Sequence, residues 1–397
     1  MARAPTLPTA EDMPDAELTP IRPGEHHPAV REVRRKLRSV GVLPTDEPTD
    51  PDWYDPQTEQ AVRHFQQERG LVANGVVDAT TYRVLDEARW RLGDRLLYPQ
   101  PTRAMTGDDV GQLQRRLAEL GFDVGRIDGV YGARTVAAVR ELQRNVGLPP
   151  DGTCGPATFK ALARLAPLVT GGQPDALRAR ELLRQAGPQL SGKRVVIDPG
   201  HGGDDPGVRA NGLVEAELTA DLAARIEGRL AATGVQVWLT RGPSVTGTVT
   251  DADRARVANT TAADVVLSLH TDGSRSATPH GVATYYYGRD EATSSALGEQ
   301  LASLVQREIV ARTDLLDCRC HPKTWELLRS TRMPAVRVDI GYLTNRQDAA
   351  RLADPAFRDT LAEAVVVALQ RLYLPVDADP QTGSLSLADI RGAGLVR

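Results

Sequence analysis

Val195-Val196-Ile197-Asp198-Pro199-Gly200-His201-Gly202-Gly203 is an apolar run that ends in Asp-Pro-Gly, so it predicts a buried strand cut by a turn, with one histidine at its mouth. Val265-Val266-Leu267-Ser268-Leu269-His270 repeats the arrangement and brings a second histidine to the end of a second strand. Around these two runs, strand and helix patterns alternate over residues 193–373. Strands are expected at 194–198, 235–240, 265–270, 282–287 and 335–340, and helices near 215–232, 293–311 and 355–372. Such alternation predicts an α/β domain, a mostly parallel twisted sheet flanked by helices on both faces. Sites in such sheets gather at the carboxyl ends of strands, which is where His201, His270 and Asp339 fall.

The whole chain has 397 residues, enough for two or three separate cores. A formal net charge of -4 without a long Lys/Arg run lacks the electrostatic footprint of a nucleic-acid binder, and that class is set aside. Cys154, Cys318 and Cys320 are too few, and odd in number, for a disulfide framework, which fits a reducing compartment. Residues 1–26 hold five prolines and five acidic residues against two arginines, with no apolar run that could form a signal-peptide core or a membrane span. They are expected to be a solvated, disordered tail on a cytoplasmic protein.

Sliding the chain on itself exposes an internal repeat. Tyr54, Thr58, Val62, Gln66, Gly70, Leu71, Gly75, Thr81 and Leu85 return 77 residues on as Tyr131, Thr135, Val139, Gln143, Gly147, Leu148, Gly152, Thr158 and Leu162. Upstream, Val30, Val33, Leu37 and Gly41 return as Val110, Leu113, Leu117 and Gly121 at an offset of 80. The apolar spacing is helical in both copies, which predicts two small all-α modules over residues 27–90 and 105–166, a linker over 167–192 with a short helix at 176–185, and a flexible tail over 375–397. The second copy, with Leu113-Gln114, Asp128-Gly129-Val130-Tyr131-Gly132-x-x-Thr135 and Gly147-Leu148-x-x-Asp151-Gly152, resembles the peptidoglycan-binding module found beside many cell-wall hydrolases. The first copy departs from it, with Asp55 in place of Gly132 and Asn74 in place of Asp151.

The two strand-end histidines invite a metal. Zinc takes nitrogen and carboxylate ligands, and a catalytic site uses three of them with a fourth position open. Glu215, in the first turn of an expected helix that follows a glycine-rich loop, is a candidate third ligand. Glu217, two residues on, is an alternative that helical geometry turns away. The order Ile197-Asp198-Pro199-Gly200-His201-Gly202-Gly203, Asp205-Pro206-Gly207, Gly212-x-x-Glu215, Leu239-Thr240-Arg241, Arg254 with Ala258-Asn259, Ala263-Asp264, Ser268-Leu269-His270 and Gly341-Tyr342-Leu343-Thr344-Asn345 resembles the zinc-dependent N-acetylmuramoyl-L-alanine amidases. The likeness spans essentially all of residues 193–373, within an amidase-like zinc domain expected over 193–374. It implies His201, Glu215 and His270 as ligands of a zinc ion (Zn2+), hydrolysis of the amide between N-acetylmuramic acid and L-alanine, and a carboxylate that moves the proton.

In the family that carboxylate is a glutamate; here the position is Asp339. Loss of one methylene retracts the group by about 1.5 Å, and a misplacement of about 1 Å can lower a rate on the order of 100-fold. Asp272 stands where the family commonly has asparagine. Cys318-x-Cys320-His321 is a weak metal pattern and is read as structural, and His26, His27, His64 and His280 receive no role. Two functions follow. One is an amidase directed to peptidoglycan, muropeptide or a precursor by its two modules. The other is a catalytically weak or silent cytoplasmic regulator, as the resemblance to an actinobacterial branch of the family implies. That regulator would act on an enzyme of peptidoglycan-precursor synthesis and be controlled by a Ser/Thr kinase, with Thr382, Ser384 and Ser386 of the tail as acceptors.

Overall fold

Residues 19–44, 50–100, 102–165, 174–242, 247–289, 294–375 and 381–393 are described by a computed structural model of the chain. Two units, residues 1–175 and 176–397, are built around separate cores.

In the first unit the repeat becomes two three-helix modules. Helices α1 (Ala29–Ser39), α2 (Pro56–Glu68) and α3 (Ala79–Ala88) close on Val33, Leu37, Val62, Phe65 and Leu85. Helices α4 (Asp108–Glu119), α5 (Ala133–Asn145) and α6 (Pro156–Leu165) close on Val110, Leu113, Leu117, Val139 and Leu142. Matched residues make matched bonds. Tyr54 donates its hydroxyl to the Gly75 carbonyl at 2.6 Å, and Tyr131 donates to that of Gly152 at 2.8 Å. Buried Gln66 accepts from the Gly75 N–H and donates to the Val76 carbonyl, both at 2.9 Å. Gln143 does the same with Gly152 at 2.9 Å and Thr153 at 3.0 Å. The departures of the first copy are absorbed locally. Asp55 caps α2 through the Thr58 N–H at 2.7 Å and pairs with Arg34 at 2.8 Å. Asn74 takes the Val76 N–H as Asp151 takes that of Thr153.

The first module also begins earlier than composition suggests. Ile21, inside the segment expected to be a solvated tail, is buried in the module core and exchanges backbone hydrogen bonds with Val77, both at 3.0 Å. One apolar residue in a proline-rich window is invisible to an average over that window; the expectation for residues 1–18 lies outside the described residues.

The second unit holds a six-stranded sheet in the order β4-β1-β5-β8-β6-β7. Its strands are β1 (Arg194–Pro199), β4 (Gln236–Leu239), β5 (Val265–Asp272), β6 (Val282–Tyr287), β7 (Asp317–Lys323) and β8 (Ala335–Tyr342), and β2 (Arg209–Ala210) with β3 (Leu213–Val214) forms a small antiparallel pair. Strands β4, β1, β5 and β8 run parallel, whereas β6 is antiparallel to β8 and β7 is parallel to β6. Alternation along each strand decides which layer it feeds. Val195, Ile197, Leu267, Leu269, Val336, Val338 and Ile340 pack under α8 (Glu215–Ala231), α10 (Ala296–Arg312) and α13 (Pro355–Tyr373). Val196, Val266 and Ala335 face the other way, toward Ala258 of α9 (Asp251–Thr260) and Leu328 of α11 (Glu326–Ser330). Ser268, His270, Arg337 and Asp339 share that second face by the same period of two.

Several features escaped the pattern reading, among them α9, α11, α12 (Arg346–Ala353), the β2–β3 pair and parts of three further segments. Strand β7 reads Asp-Cys-Arg-Cys-His-Pro-Lys, because an edge strand with one solvated side need not be apolar, and Pro322 and Lys323 blunt its open edge. Segment 167–192 contains α7 (Pro174–Gln185), in the region expected to be helical, but Leu190 already belongs to the domain core. Segment 375–397 is no free tail over its described part. Leu385 and Leu387 pack on the core, and Ile390 of α14 (Leu387–Ala393) is buried in it. Arg371 donates to Thr382 Oγ1 at 3.0 Å, and Gly383 N–H donates to Glu308 at 3.2 Å. Three apolar residues scattered among polar ones docked the segment that its hydroxyls made look solvated. No described helix is long and apolar enough to cross a membrane.

Candidate metal centre

The loop after β1 is fixed from below. Asp198, fully buried, accepts from Thr240 Oγ1 at 2.5 Å, Ser268 Oγ at 2.6 Å and Arg254 Nη1 at 2.5 Å. Burial works against its carboxylate, but Arg254 and the two hydroxyls outweigh it and hold the pKa below the ordinary value. Arg254 and Arg241 also donate to the carbonyls of Pro199, Gly200 and His201, which ties the turn down from below. His201 sits in it at φ 57°, a left-handed conformation that side chains rarely adopt. Gly200 is required by its neighbour: a Cβ there would stand 2.3 Å from the His270 ring.

Three side chains converge on this turn. Glu215 opens α8 and is almost fully buried. Its Oε1 accepts from His270 Nδ1 at 3.0 Å and the Thr271 N–H at 2.9 Å; its Oε2 accepts from the Val208 N–H at 2.9 Å and lies 3.3 Å from His201 Nε2. Burial raises the carboxyl pKa, but these bonds overcome it and hold the group ionised, well below the usual range. Bonding to Glu215 raises the His201 pKa against the effect of burial, whereas burial and then Arg337 push that of His270 down. The two imidazoles meet edge to face with centroids 5.0 Å apart. One donor atom from each of His201, Glu215 and His270 lies within 4.8 Å of the others, and these residues form the one such cluster among the described residues.

Sequence reasoning quoted Asp205 without giving it a role. Its Oδ2 lies 2.7 Å from His201 Nδ1 while its Oδ1 accepts from the Gly207 N–H at 3.0 Å. A carboxylate behind a ligating imidazole fixes ring and tautomer and leaves the other nitrogen facing the ion, an arrangement typical of zinc sites. The donor set therefore fits a zinc ion: two imidazoles, one buried carboxylate, and an orienting carboxylate behind. The signal for Asp205 was its spacing of four residues from His201 across a turn, which only the folded loop converts into contact.

Residues 195–371 match the N-acetylmuramoyl-L-alanine amidase family, and residues 26–85 and 106–162 each match a putative peptidoglycan binding domain. Over 381 residues the chain is 45% identical to N-acetylmuramoyl-L-alanine amidase CwlM of Mycobacterium tuberculosis strain H37Rv, covering 93% of each chain. The chain belongs to the N-acetylmuramoyl-L-alanine amidase family. It is also 31% identical over 238 residues to N-acetylmuramoyl-L-alanine amidase LytC of Bacillus subtilis, covering 54% of this chain and 47% of that one. Among solved structures, the N-acetylmuramoyl-L-alanine amidase from Clostridium difficile 630 is 29% identical, with 45% of this chain and 94% of that one covered and a TM-score of 0.42.

On the amidase domain's site face, Asp339 pairs in register with His270 across β5 and β8. It is not free. Arg337, two residues back on the same face, donates Nε to Oδ1 at 2.7 Å and Nη2 to Oδ2 at 3.3 Å. Asp272 lies two residues beyond His270, and burial pushes its carboxyl pKa up, with the Asp339 charge adding to the rise while the Gly273 N–H and the Tyr342 hydroxyl oppose it. Glu217 is exposed on α8, away from the cluster. The Cys318-x-Cys320-His321 motif lies along β7 and spends its polar atoms locally: Cys318 Sγ on the His280 carbonyl at 3.3 Å, Cys320 Sγ on Thr284 Oγ1 at 3.1 Å, and His321 Nε2 on the Cys318 carbonyl at 2.6 Å.

Proposed function

We propose that the second unit is a zinc-dependent N-acetylmuramoyl-L-alanine amidase domain whose turnover is held low by its proton-accepting group. The observation that carries this reading is the convergence of His201, Glu215 and His270 with Asp205 behind them. Those three residues would hold the ion, which when bound supplies water activation at neutral pH and polarisation of the scissile carbonyl. Asp339 would take the proton from the attacking water and return it to the departing L-alanine nitrogen. Two features oppose it. The side chain is a methylene short of glutamate, about 1.5 Å of reach, and both its oxygens accept from the Arg337 guanidinium, which stabilises the carboxylate and so disfavours the protonated form. The test is to supply the zinc-loaded chain with a muramoyl-peptide and follow released L-alanyl peptide, beside Asp339→Glu. Slow release that the variant accelerates on the order of 100-fold is the expected result. Equal rates would show that reach does not limit the reaction, and no release by either would remove the hydrolase reading.

A second reading is favoured by the same clamped carboxylate together with the docked carboxy-terminal segment. Here the chain is a cytoplasmic regulator of peptidoglycan-precursor synthesis that binds a muropeptide or precursor, acts on a precursor-synthesis enzyme and answers to a Ser/Thr kinase. The free thiols of Cys154, Cys318 and Cys320 support a reducing compartment. Thr382 Oγ1 lies 3.0 Å from Arg371 Nη1, and the next residue's N–H binds Glu308. A phosphate on Thr382 would add close to two negative charges beside Arg371 and against Glu308, and so re-order the segment. Intact-mass analysis of the chain from its native host is expected to find phosphate at Thr382, Ser384 or Ser386; an unmodified segment at every growth stage would remove kinase control.

A further inference from the structure

On the site face of the sheet, one row of the pleat below Asp339, Arg337 is in register with Tyr285 of β6, and Tyr285 with His321 of β7. The row carries a wall of rings. Trp325 meets Tyr285 with centroids 4.7 Å apart, His321 lies 5.9 Å from Tyr285, and the Arg337 guanidinium sits 4.7 Å from the Trp325 centroid. Lys323, the last residue of β7 and one row further from Asp339, in register with Tyr287, reaches back so that its ammonium stands 5.8 Å from the same Trp325 centroid. The surroundings of that ammonium are unusual. Lys323 is half-buried, yet among the described residues it has no carboxylate partner, and burial alone pushes its pKa down. Nor does the half-buried Tyr285 hydroxyl meet a hydrogen-bond partner among the described residues. Arg337 is neutralised by Asp339. The wall therefore presents one uncompensated cation and one free hydroxyl on an aromatic floor that meets the Arg337–Asp339 pair.

A half-buried charge left unpaired is unfavourable, and a ligand that brings the counter-charge relieves it. One net positive charge suits a single carboxylate better than a diphosphate, which would need more cations. An extended peptide advances about 3.3–3.6 Å per residue, so two or three residues span roughly 7–10 Å; the Lys323 ammonium and the Arg337 guanidinium that holds Asp339 lie 5.8 and 4.7 Å from one Trp325 centroid, which keeps the ammonium within the sum of those two distances of the guanidinium. We propose that Lys323, Tyr285 and Trp325 form a subsite for a carboxylate of the stem peptide, two or three residues from the scissile amide. The subsite rests on the muropeptide reading given above, and it would make the chain discriminate between stems with a free and an amidated carboxyl group.

The test uses the zinc-loaded full chain and two probes, a muramoyl-dipeptide with its free carboxylate and the same compound as the carboxamide, with affinities measured by titration calorimetry. The free acid is expected to bind at least roughly tenfold more tightly. Lys323→Met should abolish that preference, Lys323→Arg should keep part of it, and both should bind zinc at the stoichiometry of the parent. Equal affinity of the parent for the two probes would overturn the subsite while leaving the muropeptide reading intact, as would a preference that survives in Lys323→Met. Failure of both probes to bind a zinc-loaded chain would overturn the muropeptide reading and the subsite with it.

Discussion

At the residue scale the centre depends on groups that never touch a ligand. His201 is held in a left-handed turn, and its Nδ1 is tied to Asp205 at 2.7 Å. Asp205→Ala removes that tie and adds no bulk, so the fold should persist while the ring loses its fixed orientation. Outer-sphere partners of this kind are worth about 10–100-fold in metal affinity. That loss is expected in a competitive chelator titration, and an unchanged zinc affinity would show that the turn alone orients the imidazole. His201, Glu215 and His270 were legible in the sequence because each stands at a pattern break: a strand cut by Asp-Pro-Gly, a helix start after a glycine loop, a strand end. Arg337 and Asp205 were not, since their significance is a distance, and Lys323 was hidden in a strand that composition does not reveal.

At the scale of elements, the repeat was legible and its meaning was displaced. The residues that recur 77 positions apart are mainly those that build the module: Tyr54 and Tyr131 tie the turn, and Gln66 and Gln143 stitch it to the helix. Identity between the copies therefore reports shared scaffold, and says nothing about what each module grips. Strand β7 stayed hidden for the complementary reason, being a polar edge strand with no scaffold signature of its own. The stitching makes a prediction. Gln66→Ala leaves the buried Gly75 N–H and the Val76 carbonyl without the amide, and Gln143→Ala leaves the buried Gly152 N–H without it while Thr158 Oγ1 still donates to the Thr153 carbonyl at 3.3 Å, at a cost of about 1–3 kcal/mol per unsatisfied group. Each variant should lower the stability of its own module by an amount in that range or above it, read by denaturant unfolding of the first unit. A loss below about 0.5 kcal/mol in both would mean that water replaces the amide without strain.

At the scale of the whole molecule, the two units have separate cores: Val195, Leu222, Leu267, Val305 and Val365 in one, and the paired module clusters in the other. Metal bound by His201, Glu215 and His270 touches only residues of the second unit. A ligand that binds the folded form alone stabilises what it binds, by about 2.7 kcal/mol at a free concentration 100 times Kd. For a unit of this size, each kcal/mol moves Tm by roughly 2–4 °C. Scanning calorimetry of the intact chain should therefore show zinc raising one transition by roughly 5–10 °C and leaving the others in place, and Glu215→Gln should cancel that shift. A transition of the modules that moved with zinc to the same extent would mean that the units unfold as one, despite their separate cores. Fixed transitions throughout would mean that the His201, Glu215 and His270 cluster does not bind the ion. The two failures differ in kind, because the first concerns how the chain is divided and the second concerns its chemistry.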